Sequence, residues 1–227
     1  MFRFEKDELF RLKSALKIPH KIVGPNKTVA TGVEGVCVLL RRLVYPNRLD
    51  DLIHIFGRSR SVLSIIFNTV LNHIYDNFGH LLQSLDKYWL QPESLQLFCN
   101  AIHERDSPLT NCWGFIDGTA RPISRPIHYQ KQVFSGHKRI HAMKFQSIIA
   151  PNGLIAHMFG PFEGRRHDAA MLAESGLLEQ LQQLNAPNGD PYSVYGDPAY
   201  PLRPHLLCPF KGALLSPEER EFNKKMS

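Results

Sequence analysis

The chain has 227 residues, 43% of them hydrophobic and 21% charged, with a formal net charge of +6 and a pI near 9.2. That is length for one large domain or two small ones, with enough apolar material for a core, which excludes wholesale disorder. The positive balance favours polyanionic partners. It is concentrated between Arg121 and Arg166, where eight basic residues (Arg121, Arg125, Lys131, Lys138, Arg139, Lys144, Arg165 and Arg166) face the single acid Glu163. Such a stretch can neutralise phosphates, the main source of sequence-independent affinity for DNA; a solvated strand face is the alternative. Cys37, Cys99, Cys112 and Cys208 are scattered without a CxxC pair, which argues against a zinc ribbon or a disulfide framework and for reduced intracellular thiols. No signal peptide, no apolar run of membrane-spanning length and no internal repeat are expected.

Residues 1–107 read as a helical N-terminal region. Phe4, Leu9, Leu12 and Leu16 form a helical stripe that stops at Pro19, and Gly24-Pro25-Asn26 is turn-rich. Thr31 and Glu34 have capping-box spacing at the head of an apolar run, Val36 to Val44, that ends before Pro46. A short helix over 49–56 then stops at Gly57, and Ser59 or Ser61 caps a long one carrying Val62, Ile65, Ile66, Val70 and Ile74. Residues 48–78 thus have a helix-turn-helix pattern, in which the start of the second helix would enter the major groove. Arg58, Arg60 and Ser61 at that start can reach phosphates or base edges, although any helical hairpin needs a glycine bend and a polar outside. Pro92 opens a further helix to about Glu104, and Asp106-Ser107-Pro108 reads as a linker.

From Pro108 to the last residue the pattern becomes that of a mixed α/β layer fold. Residues 113–117 form a short apolar strand ending on Asp117, and 140–150 and 153–160 form a hairpin around Pro151-Asn152-Gly153. Asp168, in N-cap position, opens a helix to about Leu184; residues 192–197 form a strand ending on Asp197; Ser216, Pro217 and Glu219 start a last helix. Acids at the tips of two strands suit divalent cations, which keep open positions for phosphate; two such ions about 4 Å apart can stabilise an in-line displacement. A turn, a strand exit and a helix cap would equally explain Asp117, Asp197 and Asp168. His137, His141 and His167 offer a rival zinc set, but histidine in a phosphate-binding surface is the preferred reading.

The ordered segments FIDGT (115–119), GRRHDAAML (164–172), YGDPAYPL (195–202) and EFNKKMS (221–227) resemble the Harbinger/PIF group of DDE transposases and their domesticated nuclease-like relatives. The match runs from about Asn111 to the last residue, and LRRLVYP (40–46) and FGRS (56–59) in the head are similar to that family's N-terminal region. The resemblance implies a ribonuclease-H-like core that cuts and joins DNA strands with acidic residues and two Mg²⁺ or Mn²⁺ ions. Asp117 and Asp197 match the first two catalytic, metal-holding acids, and Asp168 in the His-Asp signature is a possible supporting residue near the metals. Tyr200 and Pro201 shape the site. The basic residues Lys138, Arg139, Lys144, Arg165 and Arg166, with Arg58, Arg60 and Ser61, are the DNA-binding candidates. Nuclear location, a Myb-like accessory DNA-binding partner and a homodimer are further implications.

Two departures qualify the match. Ala120 stands where the family commonly has histidine. The family's third acid, a glutamate, lies on a helix beyond the segment in which this sequence ends, and Glu218, Glu219 and Glu221 fall too close to Asp197 to replace it. The expectation is therefore a C-terminally truncated nuclease core. Two functions are compatible with such a core: a metal-dependent DNA endonuclease or transposase, or a catalytically inactive relative that binds DNA or protein. A third, an unrelated phosphotransferase or phosphatase, would need a small-molecule pocket.

Overall fold

The computed structural model describes residues 2–44 and 48–226. Pro46, read as the stop of the second helix, and Ser227, the end of the last motif, lie outside the described residues. The chain divides into two compact units between Leu81 and Leu82.

The first unit begins with α1 (Lys6–Ala15), whose apolar side chains Leu9 and Leu12 turn inward. It is not wholly α-helical: β1 (Lys21–Val23) and β2 (Val29–Thr31) pair antiparallel around the turn-rich stretch. Next come α2 (Gly32–Val44), α3 (Leu49–Phe56) and α4 (Arg60–Phe78). Thr31 Oγ1 accepts from the Glu34 amide at 3.1 Å, half of the capping box anticipated there. Gly57 ends α3 with φ of 63°, a left-handed conformation that costs glycine little. Ile22, Ala30, Val36, Leu39, Leu52, Leu63, Ile66 and Val70 form the core of this unit. Burying one such aliphatic side chain fully contributes about 1.5–3 kcal/mol.

The second unit starts before the Asp106-Ser107-Pro108 linker. Helix α5 (Pro92–His103) sends Leu95 and Cys99 into the same cluster as Trp113 and Ile116, so burial joins it to the first strand of the nuclease-like core. The sheet is built from β3 (Cys112–Pro122), β4 (Phe134–Ser135), β5 (Ile140–Ile149), β6 (Ile155–Glu163), β7 (Ser193–Gly196) and β8 (Leu206–Leu207). Between these strands lie α6 (Gln130–Val133), α7 (Asp168–Glu174) and α8 (Leu177–Leu181), and α9 (Pro217–Lys225) comes after β8. The helix expected from Asp168 to about Leu184 is broken at Gly176, whose φ is 60°.

Strands β3, β5 and β6 run as an antiparallel meander, while β7 adds to the other edge of β3 in parallel and β8 to β7 in parallel. The order β6-β5-β3-β7-β8, with β4 paired to the start of β5, is a mixed sheet flanked by helices and is consistent with a ribonuclease-H-like fold. The hairpin at 150–154 forms as expected: the Gly153 amide donates to Ala150 O at 2.9 Å and the Leu154 amide to Asn152 Oδ1 at 3.0 Å. Around Trp113, Ile116 and Ile148 the core gathers Leu172, Leu177, Leu181, Val194, Tyr200 and Leu206. A smaller cluster joins Ile102, Cys112, Tyr195 and Met226, with Phe222 of α9 packed on it. Ser216 and Glu219 complete the capping box of α9: each backbone amide finds the other's side chain, at 2.7 and 3.1 Å. No helix among the described residues is long and apolar enough to cross a membrane.

Candidate active site

Asp117 and Asp197 are brought to neighbouring positions because β3 and β7 pair in parallel. The last residues paired between these two strands are Ile116 and Gly196, and the two aspartates come immediately after them on strands that run about 4.8 Å apart. Asp197 leaves β7, whereas Asp117 lies within β3: the strand expected to end there runs on to Pro122, because its pairing with β5 continues past the end of β7. Both aspartates are exposed. Asp197 is fixed by the turn that leaves β7: its Oδ1 accepts from the Ala199 amide at 2.8 Å, and its carbonyl from the Tyr200 amide at 3.2 Å.

Beneath that turn lies Tyr200, fully buried, its hydroxyl without a hydrogen-bond partner among the described residues. Burial pushes the ionisation of this phenol well above its usual range, and the negative charges of Asp168, Asp197 and Asp117 push it further. The hydroxyl therefore stays protonated and can donate to a neighbour but not serve as a proton acceptor.

Asp168 is the first residue of α7, and the N-cap position expected for it is held by His167. The Asp168 carboxylate lies against β3, where a Cβ on Gly118 would stand 2.4 Å from its Oδ1. Lys144 Nζ donates to the same oxygen at 2.8 Å and to the Arg166 carbonyl at 2.8 Å. Both side chains of this ion pair are largely buried, 14% and 16% exposed. Among the described residues no group of three or more His, Cys, Asp or Glu is arranged to hold a metal ion. Asp168 is thus not gathered with Asp117 and Asp197 into one ligand set. Neither are the histidines: His137 is exposed and His141 packs edge-on against the Phe134 ring at 5.4 Å.

The basic candidates fall into two groups. Lys138 and Arg139, in the β4–β5 turn, and Arg165, after β6, are exposed. The Arg165 amide donates to Gln132 O, which brings that loop beside α6. Lys144 is taken up by Asp168, and Arg166 is ion-paired with Glu174. In the first unit, Arg58 makes a two-pronged bond to Glu34 at 2.9 and 3.1 Å, Arg60 lies 3.7 Å from Asp50, and Ser61 Oγ is 3.2 Å from Ser59 Oγ. Sequence reasoning missed the partners of Lys144, Arg166 and Arg58, and it missed the two glycines that admit Asp168 and Tyr200. The Asp-Gly and Gly-Asp dipeptides carried a signal: a glycine beside a strand-end acid marks a close approach as readily as a turn.

A mixed sheet with acids just beyond the last paired residues of its two central parallel strands defines a class, and the comparison with known families agrees with it. Residues 116–227 match the DDE superfamily endonucleases. A particular relative is the "Protein ALP1-like" of Arabidopsis thaliana, 27% identical over an alignment of 205 residues, which covers 86% of this chain and 48% of that protein. The chain spans about half the length of this curated relative. The relationship is consistent with the Harbinger-type resemblance of the motifs. No solved structure matches.

Proposed function

We propose that the second unit is the core of a metal-dependent DNA endonuclease or transposase, with Asp117 and Asp197 as its metal-holding, catalytic acids. The carrying observation is the parallel register that ends at Ile116 and Gly196, so that the next two residues, both exposed carboxylates, follow side by side where β7 leaves β3. That donor set fits Mg²⁺ or Mn²⁺, which bind through one or two carboxylates and leave the other positions to water and substrate phosphate. When bound, the divalent cation would supply the charge that activates water and steadies a phosphoryl oxygen. The chain's own residues do the rest. The Ala199 amide orients Asp197, Tyr200 closes the floor of the turn to water, and exposed Lys138, Arg139 and Arg165 are the side chains available to phosphates.

The test is a plasmid-nicking assay with Mg²⁺ alongside a gel shift on the same preparation. Asp117→Asn and Asp197→Asn are each expected to abolish nicking and leave DNA binding largely intact. Nicking that survives both substitutions would sink the assignment. A second reading, a DNA- or protein-binding relative without cleavage, is favoured by the lack of a three-ligand group among the described residues. Binding without nicking in the unsubstituted protein would decide for it. Under the first reading the protein works in the nucleus, with a Myb-like accessory protein or a second copy as partner. The helix-turn-helix of the first unit would then contact DNA through Arg60 and Ser61.

A further inference from the structure

We propose that Lys144 and Asp168 form a positioning pair for Asp117, with Asp168 acting from the opposite face of the sheet and not as a metal ligand. The inference rests on Asp117 being a metal-holding residue, and it starts from strand geometry. The register of β3 against β5 is unbroken from Phe115 to Pro122, so successive side chains on β3 point to opposite faces. The Cβ direction of Gly118 leads to the Asp168 carboxylate, 2.4 Å from Oδ1 and 2.9 Å from Cγ. The side chain of Asp117 therefore leaves β3 on the other face. Asp168 fills the space that a side chain at position 118 would occupy, directly behind the residue that carries the candidate ligand.

Lys144 makes this arrangement rigid. On β5 it pairs with Ala120 of β3, which shares the face of Gly118, and with Phe162 of β6. Its ammonium is held by two acceptors at 2.8 Å, the Asp168 carboxylate and the Arg166 carbonyl. One cation thus ties the loop after β6 and the start of α7 to β5 opposite Ala120, and so holds Asp168 against Gly118, the residue after Asp117. The charge of Asp168 is already compensated, so the carboxylate serves as a wedge of fixed shape. Displacing the backbone at Gly118 would swing Asp117, because strand side chains move with the pleat.

The experiment titrates the full-length protein with Mn²⁺ alone, tracking the free ion by electron paramagnetic resonance, with thermal unfolding recorded in parallel. Asp168→Asn keeps the size of the side chain and an oxygen that can accept from Lys144, and it should bind Mn²⁺ within threefold of the parent. Gly118→Ala should lose at least tenfold, because the new methyl collides with Asp168. Gly118→Ala combined with Asp168→Ala removes the collision and should bind more tightly than Gly118→Ala alone. Asp117→Asn is the control and should lose at least tenfold. If Asp168→Asn loses as much as Asp117→Asn, Asp168 is a ligand and the proposal is overturned. If Gly118→Ala binds like the parent, position 118 does not steer Asp117, which also overturns it. Should Gly118→Ala fail to fold, Asp168→Asn and the double variant decide. If Asp117→Asn itself binds like the parent, the assignment of Asp117 falls, and the positioning role falls with it.

Discussion

The ring of Tyr200 occupies the space that a side chain on Gly196 would need. A Cβ there would stand 2.8 Å from Tyr200 Cδ2 and 2.7 Å from Ile116 Cγ2. Gly196→Ala therefore has to move either the core strand β3 or the buried ring. Overpacking of this kind costs about 1–3 kcal/mol. Thermal unfolding of the variant should show that loss, with nicking reduced because the Asp197 turn sits on the displaced ring. A midpoint equal to the parent's would mean that the ring yields freely.

Tyr200→Phe is expected to behave in the opposite way. The hydroxyl is buried without a partner, and a buried polar group left unpaired costs about 1–3 kcal/mol. Deleting it should leave the unfolding midpoint unchanged or raise it. A clear fall in the midpoint would show that the hydroxyl has a partner in solution, and the donor role would then lie in stability.

His157 gives the protein a dependence on pH. It lies on β6, fully buried, opposite Ile148. Burial, and after it the Lys87 charge, hold its pKa down to about 4, below the ordinary imidazole value of 6.5. In that interval the unfolded chain takes up a proton that the folded chain refuses, so stability is complete above about pH 6.5 and falls as pH drops towards 4. Denaturant unfolding at pH 5.0 and 7.5 should show the decrease, and His157→Leu should shrink it. An undiminished pH dependence in His157→Leu would assign the effect to the carboxylates instead.

Arg58 is expected to matter for the fold of the first unit more than for contact with DNA. Its guanidinium grips Glu34 with two bonds and is about one-third exposed. Hydrogen bonds to charged groups contribute about 1.5–3 kcal/mol each, and solvent screening at this exposure brings the expected loss in Arg58→Ala towards 1 kcal/mol. Arg60→Ala removes an exposed charge 3.7 Å from Asp50 and should leave stability unchanged. If Arg60 touches phosphate, its substitution should lower DNA affinity and flatten the salt dependence by about one charge. Equal DNA affinity for parent and Arg60→Ala would remove this residue from the interface.

The parts of the fold legible in the sequence are those written locally. Pro151-Asn152-Gly153 specifies its own turn, Gly57 its helix end, and Ser216 with Glu219 its helix start, because the interacting groups are within a few residues. The features that escaped were set by distant partners. Three-residue β1 and β2 are too short to show alternation, and α5 joins the second unit only because Leu95 and Cys99 meet Trp113. Asp197 could be picked out as a strand-end acid, whereas Asp117 lies within β3, whose continuation to Pro122 is set by its pairing with β5; their adjacency depends on the parallel pairing of β3 with β7. Asp168 looked like a cap because a local explanation sufficed. Its real partner, Lys144, is brought to it by the β5–β6 hairpin and the loop between β6 and α7.

The same parallel pairing has a consequence for the order of assembly. Strands β3, β5 and β6 are near neighbours in the chain, whereas β7 reaches β3 only after the intervening hairpin and helices have been gathered in. Loop-closure entropy must be met before such a non-local contact is rewarded, so strand pairing of this kind forms late. The pairing that sets Asp197 beside Asp117 is therefore expected to follow the β3-β5-β6 meander. A chain that had formed the meander alone would present Asp117 without Asp197 beside it, so a site that needs both acids would exist only once β7 has docked.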